Sequence, residues 1–120
     1  MYQSVNFCGA SGQSYGFERM KTQNDEWISA PGVMIFTAAD GRVIKVSEQS
    51  GRAEDISAIW RWREAQRFGA TSMFLCRDKN ASARRTAVDD LKRGLDPVCD
   101  MATPYETASE SVRIVLPLAA

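Results

Sequence analysis

The sequence predicts an α+β domain in which a small, mostly antiparallel sheet carries two packed helices. Two apolar, β-branched runs flank the pair Asp40 and Gly41, a tight-turn signal that is typical of a β-hairpin. Two later segments, residues 53–68 and 80–93, place their apolar residues at helical spacing instead. Because 120 residues suffice for one core, we predict a single domain over residues 1–120.

The first elements predicted along the chain are the strands of two hairpins. Residues 4–8 and 14–20 are strands of alternating character, joined by the glycine-rich turn of residues 9–12. Residues 33–37 and 42–46 are the β-branched strands on either side of the Asp-Gly turn. These four strands supply most of the predicted sheet.

A first helix is predicted over residues 53–68, and Gly69 is its expected stop. The inner face is predicted from apolar residues at three-residue steps, which are Ile56, Ile59, Trp62 and Ala65. Trp60 and Trp62 are two positions apart and cannot share one helix face. We therefore assign Trp62 to the core and Trp60 to a partly exposed position.

A second helix is predicted from a cap at Asn80 through Arg93, with Gly94 as its stop. Its expected inner residues are Ala83, Ala87, Val88 and Leu91. Residues 71–76, between the two helices, and residues 111–118, near the C-terminal end, have the length and composition of strands. The domain is thus expected to end on a C-terminal strand.

Composition restricts the classes of function that the chain supports. Fifteen basic and fifteen acidic residues cancel, so no net charge draws the protein to nucleic acid or to an anionic membrane. The chain has no histidine, which excludes histidine-dependent catalysis and zinc sites that mix histidine with cysteine. The three cysteines form no C-x-x-C pair, and no run has the length of a membrane span. We expect no signal peptide, a cytoplasmic location, and no bound metal or cofactor.

The neutral total conceals a basic central segment. Residues 42–93 carry twelve basic and seven acidic residues, a net charge of +5. Arginines form a ridge on each predicted helix, and a joint anion-binding surface results if both ridges face the same way. The alternative is a pair of solvated, salt-bridged helix surfaces. The candidate binding residues are Lys45, Trp60, Arg61, Arg63, Arg67, Arg84 and Arg85.

The order of these motifs resembles the GIY-YIG nuclease-like domain of bacterial proteins. Residues 31–37 resemble the first strand of that family, and residues 43–47 resemble its second strand. Residues 88–91, followed by 97–100, resemble the helix that carries the metal ligand and the tail after it. The resemblance implies a GIY-YIG-like core over residues 27–100, preceded by an N-terminal hairpin.

The residues on which the chemistry of that family depends are replaced in this chain. By the resemblance, Met34 and Lys45 stand at the two tyrosines, Asp55 at the phosphate-binding arginine, and Val88 at the metal-binding glutamate; Asp100 replaces the tail asparagine. Methionine has no proton to donate, valine cannot bind Mg²⁺, and aspartate repels a phosphodiester. The resemblance therefore implies a degenerate domain without nuclease activity.

Three functions stay open at this point. The favoured one is a non-catalytic binding module, or pseudo-nuclease, that contacts a protein or a nucleic acid through the basic helical face. The second is a divergent metal-dependent nuclease with relocated carboxylates such as Asp89 and Asp90, although Asp89 is expected to pair with Arg85. The third is a self-associating accessory protein, in which exposed apolar surface and terminal strands build a homodimer. Lys45 is expected to face solvent, or else to contact a phosphate or act as a general base.

Overall fold

Over the residues that the structure describes, the fold is a five-stranded antiparallel sheet with one α-helix on each face. The computed structural model describes residues 4–23, 26–52 and 56–99. Within these residues the strands are β1 (Ser4–Cys8), β2 (Ser14–Met20), β3 (Gly32–Ala38), β4 (Val43–Gln49) and β5 (Ala70–Arg77), and the α-helices are α1 (Ser57–Arg67) and α2 (Ala81–Leu95); a short 3-10 helix, Glu26–Ser29, precedes β3. The strand order is β1-β2-β5-β3-β4, and each neighbouring pair is antiparallel. The predicted α+β class is confirmed.

Strand β3 lies between β5 and β4 and is buried on both faces. All seven of its residues are buried, which explains why its sequence is a continuous apolar run and not an alternating one. Successive side chains point to opposite faces. Met34 and Phe36 therefore join one apolar cluster, and Val33 and Ile35 join another.

The two helices cover opposite faces of this sheet. Ala58 and Ala65 of α1 belong to the cluster that contains Met34, so we call this side the α1 face. Leu91 of α2 belongs to the cluster that contains Ile35, and we call that side the α2 face. Side chains on α1 and side chains on α2 are thus separated by the sheet.

Both predicted hairpins are present, and the strands of the first have the predicted bounds. Its register runs without a break from Ser4 opposite Glu18 to Cys8 opposite Ser14. In the second hairpin, Gly41 has a φ of +89°, which favours glycine at the Asp-Gly turn. The pairing of β3 with β4 then shifts after Phe36, which marks a β-bulge next to the turn.

The sheet-facing side of α1 differs from the prediction. Ile56 and Ile59 were expected to face inward, but their exposed fractions are 62% and 36%. Ala58 and Ala65 are buried in their place. Each step of three residues falls about 60° short of a full helical turn. Ile56 and Ala65 are three such steps apart, so the shortfall adds up to half a turn and their side chains point in opposite directions. Apolar residues at a regular spacing of three are therefore distributed around the helix, and the spacing did not identify the face that packs on the sheet.

Both tryptophans of α1 lie where the sequence placed them. Trp62 packs against the cluster of the α1 face, and its ring centroid is 5.2 Å from that of Phe36. Trp60 is 36% exposed. The difference follows from their spacing, because residues two positions apart point away from each other on a helix.

Helix α2 begins at the predicted cap and continues past the predicted stop. The Asn80 side chain accepts a hydrogen bond of 2.9 Å from the backbone N–H of Ala83. Gly94 lies inside the helix, which runs to Leu95 and is capped by Asp96 with a φ of +50°. Ala83, expected to face inward, is exposed. Three predictions lie outside the described residues: the helix start at 53–55, residue 100, and the strand at 111–118.

The β1–β2 hairpin is held to α2 by a contact that we call the Asp90 anchor. The Asp90 carboxylate accepts hydrogen bonds from the Ser11 N–H (2.8 Å), the Ser11 hydroxyl (2.7 Å) and the Tyr15 hydroxyl (2.8 Å). A Cβ at Gly9 would overlap the Asp90 side chain, and one at Gly94 would overlap the hairpin backbone, so both glycines permit this approach. The hydrogen bonds from Ser11 lower the pKa of Asp90, while burial and the bond to Asp90 raise the pKa of Tyr15 to about 12.

Asp90→Asn is expected to lower the melting temperature at neutral pH, because a neutral amide replaces a carboxylate that accepts three hydrogen bonds. The folded-state pKa of Asp90 is lowered, so this stabilisation is fully present above the ordinary value of 3.8 and is lost as the pH falls through the lower folded-state value. Scanning calorimetry should therefore show the difference from wild type shrinking in acid.

Asp89→Asn is the matched control for this prediction, since Asp89 precedes Asp90 on the same helix and accepts a hydrogen bond from the exposed Arg93. Its effect on the melting temperature should be small at every pH. Equal destabilisation by the two substitutions, or a difference that does not change with pH, would contradict a stabilising role of the ionised Asp90 carboxylate.

Candidate functional site

The candidate binding residues divide between the interior and the surface. Three basic ones are buried, with exposed fractions of 0%, 5% and 6%: Lys45, Arg61 and Arg84. The exposed ones are Trp60, Arg63, Arg67 and Arg85. Arg61 and Arg84 were expected on the arginine ridges of the two helices, and the structure buries both of them.

The two arginine ridges do not combine into one surface. Helices α1 and α2 pack on opposite faces of the sheet, so Arg63 and Arg67 lie on one side of the molecule and Arg85 lies on the other. A joint anion-binding surface required both ridges to face the same way. That condition is not met.

Lys45 lies on the α1 face of β4, beneath α1, and the expectation that it faces solvent is wrong. Its Nζ is 3.3 Å from Oε1 of Glu64, and its side chain has no exposed surface. Lys45 is also paired with the buried Phe36 across the hairpin. The ammonium group is therefore occupied by an ion pair and is not presented to a phosphate in solution.

Lys45 belongs to a row of buried polar residues along one face of β4, which we call the β4 polar row: Lys45, Ser47 and Gln49. The amide of Gln49 donates to the carbonyl oxygens of Trp27 (2.5 Å) and Ala30 (2.8 Å). The Ser47 hydroxyl is buried and has no hydrogen-bond partner among the described residues. Among the described residues, the row thus combines a charged pair, a hydroxyl without a hydrogen-bond partner and an amide nitrogen that donates two hydrogen bonds.

The other two buried basic residues hold structural contacts. Arg84 donates through Nε to Oε2 of Glu48 at 2.8 Å and through its guanidinium to the carbonyl of Asp78 at 3.1 Å. Arg61 donates to the hydroxyl of Ser57, one turn earlier on α1, at 2.6 Å. These bonds tie α2 to β4 and support the start of α1.

The positions that correspond to the nuclease residues by resemblance do not converge. Met34 is 1% exposed and lies with Lys45 on the α1 face. Val88 is half-buried and packs on the α2 face. Asp55 lies outside the described residues. The sheet therefore stands between the two strand positions and the helix position.

A buried thiol that the sequence did not single out for this site lies beside the Lys45–Glu64 pair. Cys99 follows α2, and its N–H donates to the carbonyl of Ile44 at 2.7 Å along the edge of β4. Burial raises the pKa of the Cys99 thiol, Glu64 raises it further, and Lys45 opposes them. The thiol is therefore held protonated, which makes it a poor nucleophile.

Two of the carboxylates considered for a relocated metal site, Asp89 and Asp90, are engaged in hydrogen bonds. Asp89 accepts from Arg93, and the expected pair with Arg85 is not the one formed. Asp90 forms the Asp90 anchor with the β1–β2 hairpin. Among residues 4–23, 26–52 and 56–99, no group of three or more cysteines, aspartates or glutamates is placed to hold a metal ion.

The exposed side of α1 carries large apolar residues and arginines. Its members recur at steps of three and four and so lie in one stripe, which we call the α1 outer stripe: Ile56, Ile59, Trp60, Arg63 and Arg67. The guanidinium carbon of Arg63 is 5.2 Å from the centroid of the Trp60 ring, a cation–π distance. The stripe offers apolar surface and positive charge together.

Comparisons of the chain with protein-family models, with curated proteins and with solved structures find no significant match. In the part of the chain that the structure describes, no helix has the length and apolar character needed to cross a membrane. The resemblance to the GIY-YIG domain therefore stays a prediction from the order of the motifs.

Ser47→Ala is expected to raise the free energy of unfolding by about 1 kcal/mol, because it removes a buried hydroxyl that lacks a hydrogen-bond partner among the described residues. Urea unfolding at neutral pH measures the change. Ser11→Ala is the control with the same substitution type, and it should lower stability because it removes a donor to Asp90. Clear destabilisation by Ser47→Ala would mean that the hydroxyl is satisfied.

Proposed function

We propose that this protein is a non-catalytic binding module that holds a protein partner against the α1 outer stripe. The observation that carries the proposal is the orientation of α1. The helix packs Trp62 and two small residues, Ala58 and Ala65, on the sheet, and it exposes Ile56, Ile59 and Trp60. A surface helix ordinarily buries its larger apolar residues. A contiguous exposed set of them is typical of an interaction site.

The chemistry of the stripe suits a partner that is both apolar and acidic. Tryptophan and arginine are the residue types that most often dominate binding energy at protein interfaces. The contact of Arg63 with Trp60 restrains both side chains before binding, which reduces the entropy lost on association. The charged members of the stripe, Arg63 and Arg67, are both positive, so acidic side chains on the partner would complement them.

The burial of basic residues supports a protein partner over a nucleic acid. Affinity for nucleic acid rises with the number of phosphates that basic residues neutralise. Lys45, Arg61 and Arg84 are buried, and Arg85 lies on the other side of the sheet. The stripe retains two arginines, which support weak phosphate binding only.

The identity of the residues supports the absence of catalysis. If the core is a GIY-YIG-like fold, its tyrosine positions hold Met34, which has no proton to donate, and Lys45, which is paired with Glu64. Its glutamate position holds Val88, which has no oxygen to offer a metal ion. Metal-assisted cleavage of a phosphodiester depends on those groups. The proposal is therefore a pseudo-nuclease scaffold that retains a binding surface.

The α1 outer stripe is expected to account for partner binding. The immobilised wild-type protein is first used to capture partners from a lysate of the source organism. Each captured partner is then identified, purified and titrated by calorimetry against the wild type and each variant. Trp60→Ala should weaken the partner's affinity by tenfold or more, as about 2 kcal/mol is typical for a central aromatic residue. Arg85→Ala, an exposed arginine on the other helix, should leave the affinity unchanged.

Two results would contradict this assignment. The first is a purified partner that binds the Trp60→Ala variant as tightly as it binds the wild type, because such a partner does not use the α1 outer stripe. The second is binding of a nucleic acid whose affinity falls steeply with salt concentration. If Arg63→Ala makes this salt dependence less steep and no protein partner competes, the ligand is a nucleic acid.

The protein is expected to leave plasmid and single-stranded DNA intact in Mg²⁺ or Mn²⁺. The assay is gel electrophoresis after prolonged incubation, with Asp89→Ala as the comparison because Asp89 is an exposed carboxylate outside the Asp90 anchor. Cleavage by the wild type that disappears in Asp89→Ala would favour the divergent nuclease with relocated carboxylates.

A further inference from the structure

In the part of the chain that the structure describes, the outer edge of β1 lies open at one end of the sheet. Among the described residues β1 pairs with β2 alone. The opposite edge is partly covered, because the N–H groups of Val98 and Cys99 donate to the carbonyls of Val43 and Ile44 on β4. An open strand edge presents backbone N–H and C=O groups on which another strand can pair.

Strand β1 lacks the features by which edge strands ordinarily resist pairing. Its sequence, Ser-Val-Asn-Phe-Cys, contains no charged residue and no proline. Its register with β2 is continuous from Ser4 to Cys8, so no bulge turns the edge away. Lysine, proline and bulges are the usual protection of such an edge. This edge is therefore competent to pair.

We propose that β1 pairs antiparallel with β1 of a second copy of this chain, centred on Asn6. In this register Asn6 lies opposite Asn6 of the partner subunit, Val5 lies opposite Phe7 of the partner subunit, and Ser4 lies opposite Cys8 of the partner subunit. The two sheets then join edge to edge. The inference is independent of the role proposed for α1.

In this register each side chain of β1 lies opposite a side chain of similar polarity on the partner strand. Val5 and Phe7 are half-buried against the apolar cluster of the α2 face, so the new pairs continue that cluster across the junction. Ser4, Asn6 and Cys8 are exposed on the other face, where they meet small polar partners. A slip by one residue would put Val5 against a polar residue, and a slip by two would shorten the pairing.

Disulfide trapping tests the register directly. In a Cys8→Ser background, Asn6→Cys places two thiols opposite each other, and mild oxidation should yield a covalent dimer. Ser4→Cys in the same background is the matched control, since position 4 has the same exposure and faces position 8 of the partner subunit. It should cross-link several-fold more slowly. Ser4→Cys with Cys8 retained should cross-link quickly again.

Sedimentation velocity tests the association without a cross-link. The wild type should sediment faster as its concentration rises, toward a dimer. Asn6→Lys should sediment as a monomer at every concentration, because two lysines would face each other at the centre of the pairing. Ser14→Lys, exposed on the same face of β2 but away from the edge, should associate like the wild type.

Three outcomes would overturn the proposal. One is a wild type that stays monomeric at all concentrations. Another is cross-linking of Asn6→Cys no faster than that of Ser4→Cys in the Cys8→Ser background. The third is association that survives Asn6→Lys and is lost in Trp60→Ala, which would place the second copy on the α1 outer stripe.

Discussion

The burial of β3 on both faces is the constraint on which the rest of the structure depends. All seven residues of this strand are shielded from solvent, and they divide between two apolar clusters. A strand of this kind needs cover above and below the sheet. The two helices that follow it in sequence supply that cover from opposite sides. The arginines of α1 and α2 are separated as a direct consequence.

Some of the basic residues of the central segment, residues 42–93, form ion pairs at strand β4 and are not available at the surface. Lys45 meets Glu64 beneath α1, and Arg84 of α2 meets Glu48 of the same strand. A buried charge that loses its partner is costly, whereas the net contribution of an intact buried pair is small. These pairs therefore serve to fix how each helix sits on β4 more than to add stability. The +5 charge of residues 42–93 overstates the positive surface.

Local features of the fold could be predicted because adjacent residues determine them. The β1–β2 hairpin, the Asp-Gly turn and the Asn80 cap each depend on a few neighbouring residues. The burial of Lys45 and the anchoring role of Asp90 could not be predicted in the same way, since their partners are distant in sequence. Hydropathy places lysine and aspartate at the surface unless such a partner is known. The predicted exposure of Trp60 is accordingly confirmed, whereas Lys45, Arg61 and Arg84 lie in the interior and not at the surface.

Among the described residues, the open edge of β1 and the α1 outer stripe are compatible with each other as binding surfaces. Strand β1 ends the sheet on one side, while α1 packs on β4, which forms the opposite edge, and on the central strand β5. Pairing of β1 between two copies would therefore leave the α1 outer stripe of each copy accessible. A dimer built in this way presents two stripes on one continuous sheet. A partner with two matching segments would then bind by avidity, since its second contact is intramolecular, and modest affinity at each stripe would suffice.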